Sequence, residues 1–541
     1  MSAPALQVDR LSVRLPKEAD REYAVREVSF DVHPGKVMCL VGESGSGKSI
    51  IAHTVMGLLP GNVRAAAGQV LLAGEELLSA SPARLRALRG ERMGMIFQEP
   101  MTALNPVMRC GAQVDELLAQ HTPMPAPARR EKILQMFEHV RLPDPPRIFA
   151  AFPHQLSGGQ RQRIMIALAL ILKPALLIAD EPTTALDVTT QAEILKLVRE
   201  LQREHGTAVL FITHDFGVVA EIADAVSVLR LGELVESGPA AEVLTRPRHP
   251  YTRMLLESVP ALAPRKQPLP DGTPVQLRTQ RLTRVFSSGG WFGKHREVRA
   301  ADAVDIALQK GETLGIVGES GSGKSTVARM IAHLLEPTSG EIVLDDAPVA
   351  RLRGAAAHAF RRKVQVVFQD PYRSLNPRRT VGAAIAEGPM NFGASREAAW
   401  ARAGELMQLV KLPPHALHRY PHEFSGGQRQ RICIARALAV DPEVLIADEA
   451  VSALDVSVQA QILTLLEELQ QRLGLTLLFI THDLRVAAQI CNRVVVMHHG
   501  RVVEHGPVGA LFTAPAHAYT RALLAAAPGR GYAFHGAAPA A

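Results

Sequence analysis

Apolar positions along this chain gather into short continuous runs more than they alternate with polar ones. The runs at 36–41 (KVMCLV) and 312–317 (ETLGIV) end at glycine-rich loops. Those at 176–179 and 444–447 end in Asp-Glu, and two more lie at 208–212 and 476–480. Such runs predict strands buried on both faces, as in a parallel sheet covered by helices. A helix is expected after each glycine loop, and the alternation of strand and helix predicts an α/β fold. The most apolar stretch, 164–172, has nine residues and stops at Lys173-Pro174, whereas a spanning helix needs about 20. MSAPALQVDR at the N-terminus lacks the apolar core of a signal peptide. The expectation is a soluble, cytoplasmic chain to which a partner supplies any membrane part.

The pattern is written twice. GESGSGKS stands at 42–49 and 318–325, SGGQRQRI at 157–164 and 425–432, and FITHD at 211–215 and 479–483. The first pair is 276 residues apart and the other two 268. The block order is the same, so a unit of roughly 260 residues is duplicated, with small loop changes. Residues 263–274 (APRKQPLPDGTP) hold four prolines and read as a short, semi-extended linker. The expected organisation is a first copy over 1–262, the linker over 263–274, and a second copy over 275–541 with a frayed Ala-rich tail.

Composition narrows this further. The 541 residues are 47% apolar and 21% charged, which excludes a mostly disordered or fibrous chain. The net charge is +7, and 48 of the 60 cations are Arg. That balance suits nucleic acid, membrane headgroups, an anionic ligand or simply a solvated Arg-rich surface. Cys39, Cys110, Cys433 and Cys491 form no CxxC pair. They are too scattered for a disulfide framework or a zinc or iron–sulfur site, so buried free thiols are expected.

The chemistry starts at GESGSGKS, which fits G-x-x-x-x-G-K-[ST] between a strand and a helix. The candidate nucleotide-binding stretches are Gly42, Glu43, Ser44, Gly45, Ser46, Gly47, Lys48, Ser49 and Ile50, and Gly318, Glu319, Ser320, Gly321, Ser322, Gly323, Lys324, Ser325 and Thr326. The glycines let the loop turn its N–H groups and the helix N-terminus onto phosphate oxygens. Lys48 and Lys324 add charge at the β/γ-phosphates, and Ser49 and Ser325 offer hydroxyls to Mg²⁺. Asp180-Glu181 and Asp448-Glu449 close strands. There one carboxylate can hold Mg²⁺ and its neighbour can orient or deprotonate water. His214 and His482 close other strands and can donate to a γ-phosphate. Ser157, Gly158, Gly159 and Gln160, repeated as Ser425, Gly426, Gly427 and Gln428, precede an amphipathic helical run at 161–172. They make a second phosphate-binding helix N-terminus, with the serines as side-chain donors. Only one of the two surfaces has the Lys and the Mg²⁺ ligand. The economical arrangement sets the copies face to face, each SGGQ completing the other's site.

Together these motifs resemble the ATP-binding-cassette (ABC) ATPases over nearly the whole chain, twice. The resemblance implies two tandem P-loop cassettes, each with a mainly parallel sheet core, covering helices and a helical signature subdomain. It implies that Gln98 and Gln369 sense Mg²⁺ and contact the membrane partner. It makes Asp187 and Asp455 acids at a dimer seam, Glu181 and Glu449 catalytic bases, and His214 and His482 γ-phosphate switches. Mg²⁺ would then meet Ser49, Gln98 and Asp180 in one site and Ser325, Gln369 and Asp448 in the other. The composite sites would pair Lys48 with Ser425 and Lys324 with Ser157. Phe286 fits the place of an adenine-stacking aromatic; the matching residue in the first copy is Leu15, with Tyr23 off register. Ile50 stands where the second copy has Thr326, and Ala450-Val451 where the usual pair is Pro-Thr.

HPYTRMLL at 249–256 and HAYTRALL at 517–524 follow the last strands. With FQEPMTALNP and FQDPYRSLNP, they resemble the dipeptide/oligopeptide importer ATPases, and the fusion resembles the microcin C- and glutathione-type members. The implied role is an ATP-hydrolysing, energy-coupling subunit at the cytoplasmic face of a bacterial inner membrane. Its implied partners are two permease subunits, received near 100–155 and 371–423, and a periplasmic binding protein; its implied cofactors are ATP and Mg²⁺. The alternative is a soluble tandem-cassette ATPase acting on the ribosome or nucleic acid, which the basic charge would suit. A long, charged, helical inter-cassette linker would mark it, whereas only Arg265, Lys266 and Asp271 are charged in 263–274.

Overall fold

The computed structural model describes residues 3–98, 103–183, 186–288, 296–452, 454–530 and 532. Glu99–Thr102 of the first glutamine-loop segment, Thr184, Ala185, Ala453 and most of the expected tail lie outside them. Two compact units emerge, Met1–Val259 and Pro260–Ala527.

In the first unit a six-stranded sheet runs in the order Glu233–Pro239, Ala225–Arg230, Val37–Val41, Ala208–Thr213, Leu176–Asp180, Met93–Ile96. All neighbours are parallel except the first pair. The central strands are buried along their whole length, as their continuous apolar runs require. The second unit repeats this order with Arg501–Pro507, Arg493–His498, Thr313–Val317, Thr476–Thr481, Val444–Asp448 and Val364–Val367. Each unit adds a four-stranded antiparallel sheet that the continuous runs do not announce. It is built on Leu6–Arg14 and Tyr23–Val32 in one unit and on Val275–Ser288 and Arg296–Gln309 in the other. These strands show the alternating burial of a sheet with one wet face.

A helical subdomain separates the edge strand, Met93–Ile96 or Val364–Val367, from the signature helix. It contains Cys110–His121 and Ala126–His139 in the first unit, and Val381–Asn391 and Arg396–Leu409 in the second. The signature helices, Gly158–Leu170 and Gly426–Leu438, start at the glycines themselves. They are buried on nearly every face, not amphipathic. The proline-rich segment 263–274 is tied to the second unit. Arg265 N–H donates to the Ala488 carbonyl at 3.0 Å, Lys266 Nζ to Gln470 at 2.8 Å, and Asn492 Nδ2 to the Gln267 carbonyl at 2.7 Å. All four cysteines are buried and free, and burial raises the Cys110 and Cys433 thiols to about 11. Among the described residues no helix is long and apolar enough to cross a membrane.

Candidate functional site

Each phosphate loop joins the central strand to a helix, Lys48–Met56 or Lys324–Ile331, whose cap is a left-handed glycine with no side-chain cap bond. No side-chain cap therefore competes with an anion at this helix start. Gly42, Gly45 and Gly47 have φ of 152°, 74° and 103°, and their counterparts Gly318, Gly321 and Gly323 have 150°, 78° and 101°. Close packing adds to this need. A Cβ at Gly42 would lie 2.3 Å from the Leu229 carbonyl oxygen, and one at Gly47 2.6 Å from that of Ala24. The Lys48 ammonium is buried and donates to the carbonyls of Gly42 and Glu43, both at 2.8 Å. Lys324 does the same to Gly318 and Glu319 at 2.8 and 2.7 Å. Ile50 packs against the apolar core beside the loop.

The next strand brings its carboxylates to the loop. Ser49 Oγ donates to Asp180 at 3.1 Å and Ser325 Oγ to Asp448 at 2.9 Å. Burial raises both Asp pKa values, partly offset by these bonds. A hydroxyl and a buried carboxylate side by side are hard oxygen donors of the kind Mg²⁺ takes, and its charge would favour the ionised acid. Glu181 and Glu449 come next, at φ of 46° and 50°. A non-glycine residue in this left-handed region costs about 1 kcal/mol or more. Hydrogen bonds to the neighbouring strand hold it there: Glu181 N–H donates to Ile212 and Glu449 N–H to Ile480. The turn aims each carboxylate between two other predicted residues. Gln98 Nε2 donates to Glu181 at 3.0 Å, and His214 Nδ1 lies 3.1 Å from its other oxygen. Gln369 donates to Glu449 at 2.8 Å, with His482 Nδ1 at 3.5 Å. Burial opposes charge on His482, but the Glu449 hydrogen bond and its negative charge outweigh it, so the His482 pKa is raised. Glu449 is lowered in turn, against the effect of its own burial. The sequence assigned each of these groups singly. Their union into a Gln–Glu–His cluster in both units is a result of the fold.

The signature residues acquire a local role. Ser157 Oγ accepts from Gln160 N–H while Gln160 Oε1 accepts from Ser157 N–H, and Ser425 and Gln428 repeat it. This reciprocal capping box explains the S-x-x-Q spacing. The serine oxygen is thus an acceptor toward its own helix. The second glycine is needed for packing: a Cβ at Gly159 would lie 2.9 Å from Thr190 Cγ2, and one at Gly427 2.3 Å from Val458 Cγ1. Nothing lies within 4 Å of the Cβ direction at Gly158. Asp187 and Asp455 cap the following helices, Val188–His205 and Val456–Leu473; Asp187 accepts from Thr190 N–H, while Asp455 makes no side-chain cap bond.

The base side differs between units. Phe286 is exposed, with the Arg284 guanidinium 4.8 Å from its ring centroid. Leu15 is half-buried against the core, and Arg14 lies over Tyr23 at 5.7 Å. Arg21 donates to the Gly45 carbonyl of the phosphate loop, a contact the motifs did not suggest. Tyr251 and Tyr519 of the HPYTR and HAYTR segments also reach the loops, at Glu43 and Glu319. The recurrence of Y-T-R after 268 residues was the available signal, but it carried no hint of this contact.

Comparisons with known proteins place the chain in a family. The family profile described as ABC transporter matches residues 25–184 and 301–452. The one described as oligopeptide/dipeptide transporter, C-terminal region, matches 235–286 and 503–532. The glutathione import ATP-binding protein GsiA of Pectobacterium atrosepticum is 46% identical over 97% of this chain and 89% of its own. That of Escherichia coli O6:H1 is 47% identical with the same coverage. A solved ATP-binding cassette, described as dimeric and post-hydrolysis with ADP and Pi bound, covers 43% of this chain and 98% of its own at 30% identity and a TM-score of 0.39. The chain belongs to the ABC transporter family and carries the ATP-binding cassette twice.

Proposed function

We propose that this chain hydrolyses ATP to drive import of a peptide or peptide-like solute, glutathione among the candidates. The observation that carries the hydrolytic part is the duplicated cluster in which Gln and His hold a left-handed Glu beside the phosphate loop. Both copies keep every group, so two active sites are proposed. The solute class rests on the oligopeptide-type region after each cassette and on the two glutathione import relatives.

In each site the loop N–H groups and the Lys bind the β- and γ-phosphates. Glu181 and Glu449 orient and deprotonate the attacking water, while Gln98, Gln369, His214 and His482 position those carboxylates. Ser49, Asp180 and Gln98, and Ser325, Asp448 and Gln369, would hold Mg²⁺. When bound, Mg²⁺ neutralises charge on the phosphate oxygens. Each cassette has a second phosphate-binding helix terminus that lacks its own Lys, so Ser425 is proposed to complete the site of Lys48, and Ser157 that of Lys324. Asp187 and Asp455 belong to the same proposed seam, and Phe286 stacks the adenine in the second site. The partners are two permease subunits and a periplasmic binding protein, with this chain peripheral on the cytoplasmic face of the inner membrane.

The test is transport. Proteoliposomes holding this chain with the permeases and binding protein that co-purify with it should take up labelled glutathione or short peptides only with internal ATP. Uptake that needs no ATP, or ATP turnover that responds to neither solute class, would refute the reading.

A further inference from the structure

The HPYTR and HAYTR segments are built the same way in both units. In the first, Glu236 accepts from the N–H groups of Arg248 and His249 at 2.8 and 3.1 Å. His249 Nδ1 accepts from Tyr251 N–H at 3.1 Å and caps the helix Pro250–Glu257. In the second, Glu504 accepts from Ala516 and His517 at 2.8 and 3.2 Å, and His517 Nδ1 accepts from Tyr519 N–H at 3.2 Å. A capped helix start fixes the direction of the tyrosine that follows.

That tyrosine reaches the second residue of the phosphate loop, 208 positions away in the first unit and 200 in the second. Tyr251 Oη donates to the Glu43 carboxylate at 3.1 Å and accepts from Glu43 N–H at 3.4 Å. Tyr519 Oη accepts from Glu319 N–H at 3.1 Å. Tyr251 is 5% exposed, and burial and the Glu43 charge push its hydroxyl above the ordinary range, so it remains a donor. The rings are covered differently: the Arg230 guanidinium lies 5.1 Å from that of Tyr251, and the His498 ring stacks 3.9 Å from that of Tyr519. Two different covers over one retained contact single out the contact.

Its place in the loop gives it a use. The Glu43 carbonyl holds the Lys48 ammonium, and the Glu319 carbonyl holds that of Lys324. Each glutamate is therefore pinned at its amide by tyrosine and at its carbonyl by lysine. We propose that Tyr251 and Tyr519 are positioning residues that preset the entry turn of each phosphate loop, so that docking of the C-terminal segment sets nucleotide affinity. A loop ordered beforehand loses less conformational freedom on binding. The inference rests on the ATP-binding role of the loop and not on the identity of the solute.

The test uses the full chain with Lys324→Ala, so that titration with the fluorescent nucleotide mant-ATP reports the first loop. Adding Tyr251→Phe should raise the dissociation constant about tenfold, the order expected when its two hydrogen bonds to Glu43 are lost, with little change in melting temperature. Tyr519→Phe with Lys48→Ala tests the second loop and should show a smaller rise. Glu43→Ala keeps the backbone amide that Tyr251 Oη holds, so Tyr251→Phe should still weaken binding on that background. An unchanged affinity, a loss that only tracks a lower melting temperature, or no effect of Tyr251→Phe on the Glu43→Ala background would overturn the proposal. The parent with native tyrosines is titrated in parallel; its failure to bind would overturn the ATP reading itself.

Discussion

The two cassettes agree where phosphate is handled and differ where the base and the C-terminal tyrosine are handled. Corresponding loop glycines differ in φ by a few degrees, and Glu181 and Glu449 both sit near +50°. Yet Phe286 stands where the first cassette has Leu15, and His498 where it has Arg230. Phosphate and water demand fixed distances, which only one backbone path supplies, whereas an aromatic platform or a ring cover can be met by several side chains. The comparison predicts that changes at the shared groups act alike in both cassettes and that changes at the divergent ones do not.

The largest effect falls on the shared base. Glu181→Gln with Glu449→Gln should cut ATP turnover about a hundredfold to ten-thousandfold while ATP binding persists. Each single change should act to the same degree if the sites are equivalent. Steady-state phosphate release checks this, and full turnover in the double variant would remove the base assignment. Equal clusters with unequal single-variant losses would instead break the symmetry at the level of chemistry.

How much of this was legible in the sequence follows the same division. The strands were legible because burial on both faces leaves continuous apolar runs, and the phosphate loops because their glycines are required by backbone geometry. The antiparallel sheets escaped notice, since Leu6–Arg14 and its partners alternate burial and leave no continuous run. The left-handed Glu181 was invisible, because strain held by tertiary hydrogen bonds has no local signature. The capping box was written in S-x-x-Q but hidden behind the phosphate reading of the same residues. The tyrosine contacts join residues 200 or more apart, which no local pattern encodes.

The signature glycines give the next test. Gly427→Ala places a methyl against Val458, at a Cβ distance of 2.3 Å, and should cost about 1–3 kcal/mol of stability. Gly159→Ala, against Thr190 at 2.9 Å, should cost less. Gly158→Ala meets open space and should leave thermal melting unchanged while lowering ATP turnover. Retained turnover there would argue against a phosphate approaching this terminus. A smaller effect is expected at the base. Phe286→Ala should weaken ATP binding by about 1 kcal/mol, and Leu15→Ala should change it little; equal losses in nucleotide titrations would show that the sites hold adenine alike.

The smallest effect concerns the covers over the tyrosines. Burial lowers the His498 pKa below its ordinary 6.5, helped by His499 and His517 and opposed by Glu319. The neutral form is thus favoured in the folded state. Its stabilisation is present above about 6.5 and is lost as pH falls from there through the lowered value, because the unfolded chain binds the extra proton more readily. Cooling the protein is not needed to see the difference; acidifying it from pH 7.5 to about 5.5 spans the ordinary histidine range. Over that range, mant-ATP affinity should fall more in the Lys48→Ala chain, which reports the second loop, than in the Lys324→Ala chain. His498→Arg should abolish the difference by giving both tyrosines a guanidinium cover. Parallel pH profiles for the two chains, before that substitution, would mean that the covers do not feed into nucleotide binding and that the divergence between the cassettes is confined to the base.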